Sequence, residues 1–378
     1  MRFAATELST AELELQAQVR AFLDAELPRG SRRPGLGMNG AADREFSRKL
    51  GAKGWLGMAL PNKYGGGERS AVERFVVTEE LLSRGAPLGY HWIADRQSGS
   101  VIERFGTEEQ KQAYLPGICA GELGFSIGMS EPDAGSDLAA VRTRARKVDG
   151  GWTLSGTKVW TTRAHINEFM ITLCRTSDPE DPRAGLTQFI VDLHAEGVQV
   201  NPIPFLDGTH DFNEVVLSEV FVPDAALLGE VGAGWAQNTA ELAFERGGPD
   251  RHLSTYPVVE AFLREAPAGS LGADAAVFFG RATATWWVMR NLSLSIARAI
   301  DRGESPVAEA ALVKEMGTRF EQDLLLGLQD LIDLEPSPDS SSYFEQALCE
   351  AILTAPSNSI RGGTTEILRS VAAKGLVR

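Results

Sequence analysis

The chain has 378 residues, of which 43% are hydrophobic and 23% are charged, so it can bury a large core and form two or three structural units. Its formal net charge is −14 at pH 7, and this acidic excess argues against sequence-independent nucleic-acid binding, which relies on clustered Lys and Arg. Charged residues interrupt the apolar stretches well short of the ~18–20 residues of a membrane-spanning helix.

The N-terminus, MRFAATELSTAELELQAQVRAFLDAEL, contains acidic residues throughout and has no apolar signal core. We therefore expect a cytoplasmic protein that does not enter a membrane. Cys119, Cys174 and Cys349 are widely separated and show neither CxxC nor Cys/His metal spacing. We expect inert core residues here, against the alternative of a catalytic thiol, and no metal site is predicted.

Residues 1–117 are predicted to form an N-terminal α-helical domain. AELELQAQVRAFLDAEL and SAVERFVVTEELLSRG have apolar residues at spacings of three and four, which is typical of amphipathic helices. In RFGTEEQKQAYLP, a Thr cap is followed by acidic residues in the first helical turn.

The pattern then changes twice, which predicts an α+β fold class in the order α, β, α. Residues 118–228 contain short β-rich runs such as GWTLSGTKVWTT, EFMITLCRT, TQFIVDL and NEVVLSEVFVP, separated by turn residues, and are predicted to form a β domain. Helical spacing returns in residues 229–378, through RATATWWVMRNLSLSIARAI and PVAEAALVKEMGTRFEQDLLLGLQDLIDL, which favours a helical bundle.

A polar elbow interrupts the β region in GFSIGMSEPDAGSDLAAVRTRA. Its Pro, Asp and Gly residues are those of a turn. The longer run FGTEEQKQAYLPGICAGELGFSIGMSEPDAGSDLAAVRTRARKVDGGWTLSGTKVWTT resembles the acyl-CoA dehydrogenase family, in which an EEQK...YLP helix leads to [ST]-E-P-x-A-G-S-D and then to G-x-K-x-W-x-[TS]. Further matches at FNEVVLSEVFVP, GAGW...LAFER and IRGGTTEILR extend the resemblance over nearly the whole chain.

The resemblance implies a helical domain, a β-barrel-like domain and a C-terminal four-helix bundle that hold FAD outside any Rossmann motif. It places Met129 and Ser130 at the pyrimidine edge of the flavin, Trp160 beside the ring, and Thr162 at N5, the hydride acceptor. Ser136 would lie near the diphosphate or the pantetheine arm of the substrate. Gly135 and Thr161 complete the predicted cofactor residues of these two segments. The alternative is that Trp160 is a core residue and the hydroxyls cap turns.

The adenine half of FAD is matched less closely. The R-x-F-G segment of the family, which reaches the FAD of a neighbouring subunit, has only Arg281 in approximate register. Thr364 and Glu366 match positions that touch flavin, although many members have Gln in place of Glu366. A carboxylate near the diphosphate would be unfavourable unless paired, so a structural role for Glu366 is the alternative.

The implied reaction removes a proton from Cα and a hydride from Cβ of an acyl thioester. Many members carry the base in a Y-E-G-T loop, where this chain has Arg361 and Gly362, so that loop cannot supply it. Another branch has the base in a helical Glu-Arg pair, matched here by Glu245 and Arg246. We predict Glu245 as the base, against the alternative of a solvated charge.

Other residues of the substrate site follow from the same resemblance. Arg246 is predicted to orient the substrate or the loop. Gly362 would offer its backbone N–H to the thioester carbonyl, and Gly363 would lie beside the substrate. The proline and glycines of GGPD, directly after Arg246, are expected to end or kink the helix.

The substrate is expected to be short, branched or functionalised. The helix APLGYHWIADRQSGSVIERFG matches the floor of the acyl pocket, which Tyr90, His91, Trp92 and Arg96 would make bulky and polar, although His91 is more typical of a satisfied helix histidine. The motif style is similar to actinobacterial members that act on steroid side chains or secondary-metabolite precursors. The acidic chain favours coenzyme A over an acidic acyl carrier protein as the carrier.

Three functional alternatives follow. The first is a flavin-dependent acyl-thioester dehydrogenase that passes electrons to an electron-transfer flavoprotein. The second is a subunit that completes the FAD site with a related chain, and the third is an oxidase or monooxygenase on the same fold. A homodimer, homotetramer or heteromer is expected, because apolar faces such as WWVM would pack against a partner.

Overall fold

The computed structural model of the protein describes residues 1–31, 36, 40–206, 208–245, 247–266, 272–332, 335–360 and 362–376, and for residues 240–245 and 376 it describes the backbone alone. Arg246 and Arg361, which the sequence places in the substrate site, lie outside the described residues, as does the side chain of Glu245. All other predicted site residues are described.

Helices come first and last in the chain. Those that precede the strands are α1 (Thr10–Glu26), α2 (Arg44–Ala52), α3 (Ala71–Ser83), α4 (Gly99–Phe105) and α5 (Glu108–Cys119). Those that follow the strands are α6 (Gly234–Glu245), α7 (Tyr256–Glu265), α8 (Ala273–Asp301), α9 (Val307–Asp330), α10 (Tyr343–Thr354) and α11 (Thr365–Leu376). A short π-helix, Ala94–Ser98, runs directly into α4.

The strands lie between the two groups of helices. They are β1 (Phe125–Gly128), β2 (Arg144–Val148), β3 (Gly151–Thr162), β4 (Phe169–Arg175), β5 (Leu186–Asp192), β6 (Val198–Ile203), β7 (Phe212–Pro223) and β8 (Leu227–Leu228). The predicted α, β, α order and the α+β fold class are therefore confirmed.

The chain divides into two compact units, and each is described by itself. The first comprises residues 1–41, 70–88 and 243–378, and is helical. The second comprises residues 42–69 and 89–242, and contains the sheet. The predicted domain boundaries at 117/118 and 228/229 divide the chain by secondary-structure type and stay a prediction.

Several helices begin where the sequence provides a reciprocal cap. Thr107 accepts a hydrogen bond from the backbone of Gln110, and the Gln110 side chain accepts one from the backbone of Thr107. The same arrangement begins α1 at Ser9 and α3 at Ser70. Each cap satisfies two backbone N–H groups that the helix itself leaves without partners, so these starts are fixed locally.

The sheet has the strand order β6-β7-β3-β2-β4-β5-β8, and β1 pairs with β4 in parallel. The long antiparallel pair of β3 and β7 is irregular near its end. Between the pairs Lys158–Val215 and Thr161–Asn213, β3 has one residue more than β7. This β-bulge re-aims the side chains that follow Lys158.

In the helical unit, the WWVM segment of α8 has mixed surroundings. Trp286 packs edge-on against Tyr256 and Phe320, and Met289 is fully buried. Trp287 and Val288 are exposed. Only half of this segment is therefore open to the partner that the sequence predicts, because α8 turns its other side into its own unit.

Candidate active site

The elbow after β1 is a tight hairpin. Glu131 and Ala134 exchange two backbone hydrogen bonds, of 2.9 and 3.1 Å, and Pro132 and Asp133 form the tip. The predicted turn is confirmed. It lies directly after Met129 and Ser130, so its geometry sets where these two residues point.

A buried ion pair fixes the elbow to β3. The Glu131 carboxylate accepts hydrogen bonds from the Lys158 ammonium at 2.8 Å and from two backbone N–H groups, those of Arg142 at 2.7 Å and Thr143 at 2.9 Å. Burial would raise the pKa of the Glu131 carboxyl, but the charge of Lys158 and these donors lower it below its usual value. Glu131 is therefore held ionised.

Lys158 also ties down the segment that precedes the elbow. Its side chain is 0% exposed, and its ammonium donates to the Met129 carbonyl at 3.2 Å. The Val159 backbone N–H donates to the Ser130 carbonyl at 2.9 Å. Met129 and Ser130 are thus held rigidly beside β3. In the part of the chain that the structure describes, the Ser130 hydroxyl has no hydrogen-bond partner and is available to a ligand.

Trp160 combines a left-handed backbone with an exposed aromatic side chain. It lies in the β3 bulge with a left-handed φ of 59°, which side-chain-bearing residues adopt rarely, and it is 58% exposed. Its ring meets Phe212 edge-on, with centroids 6.0 Å apart. A core tryptophan would be buried, so the core interpretation is wrong. The strained backbone holds a large apolar ring at the surface.

The two threonines after Trp160 differ in their surroundings. Thr162 is half-buried, and its carbonyl accepts a hydrogen bond from the Ser126 hydroxyl at 2.8 Å. Thr161 is fully buried, and its carbonyl accepts one from the Asn213 amide at 3.0 Å. Side chains alternate along a strand, and that of the fully buried Thr161 points into the interior. The geometry therefore does not support the predicted cofactor contact of Thr161.

The loop after the elbow is open. Gly135 and Ser136 are exposed. A Cβ at Gly135 would meet no protein atom within 4 Å, and its φ lies outside the left-handed region, so the fold itself does not require glycine there. These features fit a flavin cofactor. The space beside Gly135 fits the diphosphate, the open Ser130 hydroxyl fits the polar edge, and the exposed Trp160 ring fits the face of the flavin.

In the helical unit, α6 ends at Glu245 and a short 3-10 helix, Pro249–Arg251, follows. The predicted break at GGPD is confirmed, because proline cannot continue the helical hydrogen-bond ladder. The backbone thus places Glu245 at a helix end.

The glycine loop near the C-terminus is held by a residue that the sequence did not single out. Gly362 and Gly363 have left-handed φ values of 67° and 105°. The buried Lys314 of α9 donates hydrogen bonds to the carbonyls of Asn358 at 2.9 Å and Gly363 at 3.1 Å. In the sequence, Lys314 lies in an amphipathic helix where a lysine is typical of the solvated face, so no local signal indicates its role.

The predicted adenine-half residues have mainly local contacts. The Thr364 hydroxyl accepts the backbone N–H of Ile367 at 3.4 Å and caps α11. Glu366 is exposed in the first turn of α11, and its own backbone N–H and the Thr364 hydroxyl lower the pKa of its carboxyl. This arrangement favours the structural role for Glu366. Arg281 is exposed on α8.

The residues predicted to shape the acyl pocket have structural contacts instead. The Tyr90 hydroxyl donates to Glu168 at 2.9 Å, and burial lowers the pKa of His91 to about 4. Trp92 is buried, with the Arg96 guanidinium 4.6 Å from its ring centre. The geometry does not support the predicted contact of Trp92 with substrate, because its surface is used by neighbouring residues of its own unit.

The cysteines behave as the sequence predicts for two of three positions. Cys119 and Cys174 are buried, and burial raises the pKa of their thiols to about 11 and about 12. Both stay protonated and unreactive near neutral pH. Cys349 is partly exposed.

Comparison with known proteins decides the family. Residues 9–122 match the acyl-CoA dehydrogenase N-terminal domain, and residues 126–220 match the acyl-CoA dehydrogenase middle domain. The chain belongs to the acyl-CoA dehydrogenase family. The predictions of this family and of an FAD-dependent acyl-CoA dehydrogenase are confirmed.

Relatives of this acyl-CoA dehydrogenase include two from Mycobacterium tuberculosis. Acyl-CoA dehydrogenase FadE29 is 30% identical over 98% of the chain and 97% of its own length. Acyl-CoA dehydrogenase FadE34 is 32% identical over 87% of the chain, which spans only 45% of that protein. The solved structure named Tcur3481-Tcur3483 steroid ACAD is 30% identical, with a TM-score of 0.86 over 98% of both chains. Within the described residues, none of the helices is long and apolar enough to cross a bilayer.

Proposed function

We propose that this acyl-CoA dehydrogenase oxidises the Cα–Cβ bond of a short, branched or functionalised acyl-CoA, with Glu245 as the base. The observation that carries the proposal is Trp160, an exposed aromatic ring held by a strained backbone next to an elbow fixed by a buried ion pair. Backbone strain of this kind clusters at ligand sites, and an exposed aromatic ring beside a fixed elbow suits a ring-shaped cofactor. A bound flavin supplies the acceptor for the hydride that leaves Cβ.

The residues of the sheet unit would hold the flavin in place. Ser130 and the Met129 backbone would bind the polar pyrimidine edge, and Trp160 would pack beside the ring. Thr162 would donate to the hydride-accepting edge, and Ser136 would lie near the diphosphate or the pantetheine arm. Fixed donors at these positions stabilise the electron density that arrives with the hydride.

The proposed base is argued by position. An acyl thioester Cα–H is too weakly acidic for a carboxylate in water, so the base needs a dry site and the developing charge needs a donor. Gly362 has no side chain, so the C-terminal loop cannot supply a carboxylate. Glu245 ends α6 at the break before Pro249. Arg246 would orient the substrate, and the Gly362 N–H would donate to the thioester carbonyl, next to Gly363.

The names of the relatives support a functionalised acyl substrate and also bear on whether the protein is a homomer or a heteromer. One solved relative is named a steroid ACAD and carries two protein names, Tcur3481 and Tcur3483. Of the proposed acyl types, we therefore favour a functionalised one with a bulky or cyclic part. A heteromer with a related chain is the alternative to a homomer. The family segment that reaches a neighbouring FAD is matched only by Arg281, in approximate register. This weak match to the adenine half of the site favours the heteromer. An electron-transfer flavoprotein is the proposed acceptor.

The test is the visible spectrum of the purified chain, followed by anaerobic titration with a panel of acyl-CoA thioesters. The wild type should be yellow and should bleach with one of them, whereas Glu245→Gln should bind flavin without bleaching. Glu241→Gln, four residues earlier on the same helix, is the matched control and should bleach like the wild type. Equal bleaching of Glu245→Gln would show that another group is the base.

Two further outcomes separate the alternatives. A colourless protein that stays colourless in excess FAD would overturn the homomeric enzyme and favour the heteromer. Rapid reoxidation of the reduced protein by O2 alone, without an added electron acceptor, would favour an oxidase.

A further inference from the structure

The helical unit contains a cavity whose wall is rich in arginine. The cavity has a volume of about 650 Å³ and is lined by α1, α3, α8 and the start of α7. Its charged lining residues are Arg20, Arg29, Arg84, Arg290, Asp24, Glu79 and Glu80. Cations therefore outnumber carboxylates here, although the chain as a whole has a net charge of −14.

The arginines of this cavity have more hydrogen-bond donors than their carboxylate partners use. The ion pairs are Arg20–Glu80, Arg84–Asp24, Arg290–Glu79 and Arg29–Glu260. Arg20 and Arg290 use Nε and Nη2 for their pairs, whereas Arg29 uses only Nη1. A guanidinium has five N–H donors, so within the described residues the Nε–Nη2 edge of Arg29 has no acceptor. Because every carboxylate of the wall is already paired, the remaining capacity suits an anion.

These donors are accessible to a ligand. The side chains of Arg20 and Arg29 are 58% and 50% exposed, and both line the cavity. The Tyr256 hydroxyl belongs to the same wall and has no hydrogen-bond partner in the part of the chain that the structure describes. Burial and then the neighbouring Arg84 cation lower the pKa of Arg29, which is the effect expected where positive charges are crowded.

An apolar cleft of about 320 Å³ adjoins the cavity. Four residues line both spaces, namely Glu79, Leu253, Tyr256 and Arg290. The rest of the cleft is mainly apolar and aromatic, with Val259, Leu263, Phe279, Trp286 and Trp287 in its wall. Trp287 is 65% exposed, so an aromatic surface is open to a ligand beside the arginines. The two spaces together thus have a cationic end and an aromatic end.

We propose that the cavity and the cleft form one binding site for an amphipathic carboxylic acid, whose carboxylate binds Arg29 and whose bulky apolar body packs against Trp287. The free Nε–Nη2 edge of Arg29 has the geometry that binds a carboxylate through two parallel hydrogen bonds. An aromatic wall with a few polar groups is typical of small-molecule sites. The inference goes beyond the proposed function, because binding at this site requires neither the flavin nor the base.

The test compares 1-naphthaleneacetate with 1-naphthaleneacetamide, which have the same ring system and differ in charge. Their dissociation constants are measured by calorimetry on the purified full chain. Arg29→Gln and Arg29→Lys test the cationic end, and Trp287→Ala tests the aromatic end. Arg29→Gln should fold, because Arg264 still pairs with Glu260 at 2.8 Å. Arg319→Gln, at an exposed position of α9 in the same unit, is the matched control.

The wild type should bind the acetate roughly 10- to 100-fold more tightly than the amide, as expected for a charge-assisted hydrogen-bonded pair. Arg29→Gln should bring this ratio close to one, Arg29→Lys should keep part of it, and Arg319→Gln should not change it. Trp287→Ala should weaken both probes by a similar factor. An unchanged ratio in Arg29→Gln, or no binding of either probe to the wild type, would overturn the inference and leave the proposed function standing.

A second titration identifies the source of the acid, which is either a free molecule or the far end of the acyl group of a substrate. It uses FAD-loaded Glu245→Gln, saturated with the acyl-CoA that bleaches the wild type. An unchanged dissociation constant for 1-naphthaleneacetate would assign the site to a free acid. A raised constant would assign it to the acyl group.

Discussion

Glu131 and Lys158 lie 27 residues apart in the chain and meet at 2.8 Å in the interior, where they join the elbow to β3. Each belongs to a motif whose other residues are the proposed flavin contacts. The pair binds no cofactor in our proposal, because both charges are satisfied within the protein. Its role is to set the relative position of Ser130 and Trp160.

Removal of one partner should therefore destabilise the sheet unit and weaken cofactor binding. Glu131→Gln leaves the Lys158 ammonium buried without its counter-ion, which costs about 3–5 kcal/mol. We expect a lower thermal midpoint and loss of FAD on gel filtration. Asp178→Asn, which breaks the exposed pair with Arg144, is the control and should change neither. Retention of FAD by Glu131→Gln would contradict the positioning role.

The backbone strain at Trp160 predicts that substitutions there change protein stability and FAD binding in different ways. A left-handed φ costs a β-branched residue about 1–2 kcal/mol, whereas glycine adopts it freely. Trp160→Gly should therefore be more stable to denaturant than Trp160→Val by about that amount. Both should bind FAD more weakly than the wild type, because the ring is lost. Equal stability of the two variants would show that the bulge relaxes.

Two buried histidines predict loss of stability in mild acid. Burial lowers the pKa of His91 and of His252 from 6.5 to about 4. Between these values the unfolded chain binds more protons than the folded chain, so stability falls as the pH drops from about 6.5 to about 4. Each histidine contributes about 3 kcal/mol over this window.

The measurement is the thermal midpoint as a function of pH. His91→Gln should reduce the slope between about pH 6.5 and 4 relative to the wild type, because the buried imidazole with its lowered pKa is removed. Parallel curves for the wild type and His91→Gln would argue against a neutral buried imidazole at this position.

Lys314 should be essential to the glycine loop. Lys314→Met keeps the apolar stem and removes the donor to the carbonyls of Asn358 and Gly363. The Asn358 carbonyl then keeps only the long hydrogen bond of 3.4 Å from the Thr318 hydroxyl, and the loss costs about 1–3 kcal/mol. We expect a lower thermal midpoint and a fall in kcat for the best acyl-CoA. Lys374→Met, in α11, is the control. Wild-type kcat in Lys314→Met would show that loop position does not limit the reaction.

The sequence by itself determined the local structure and the motif positions. Reciprocal caps such as that of Thr107 and Gln110, the tight turn at Pro132 and Asp133, and the helix break before Pro249 depend on neighbouring residues, so they are visible in the order of amino acids.

The tertiary structure alone decided which side chains are buried and which distant residues meet. Lys158 and Lys314 read as surface lysines, yet both are buried because partners far along the chain satisfy their charges. A single extra residue in β3 exposes Trp160 and buries Thr161, and chain folding brings Arg251 to Gly362. Such relationships depend on packing between segments that no local pattern relates.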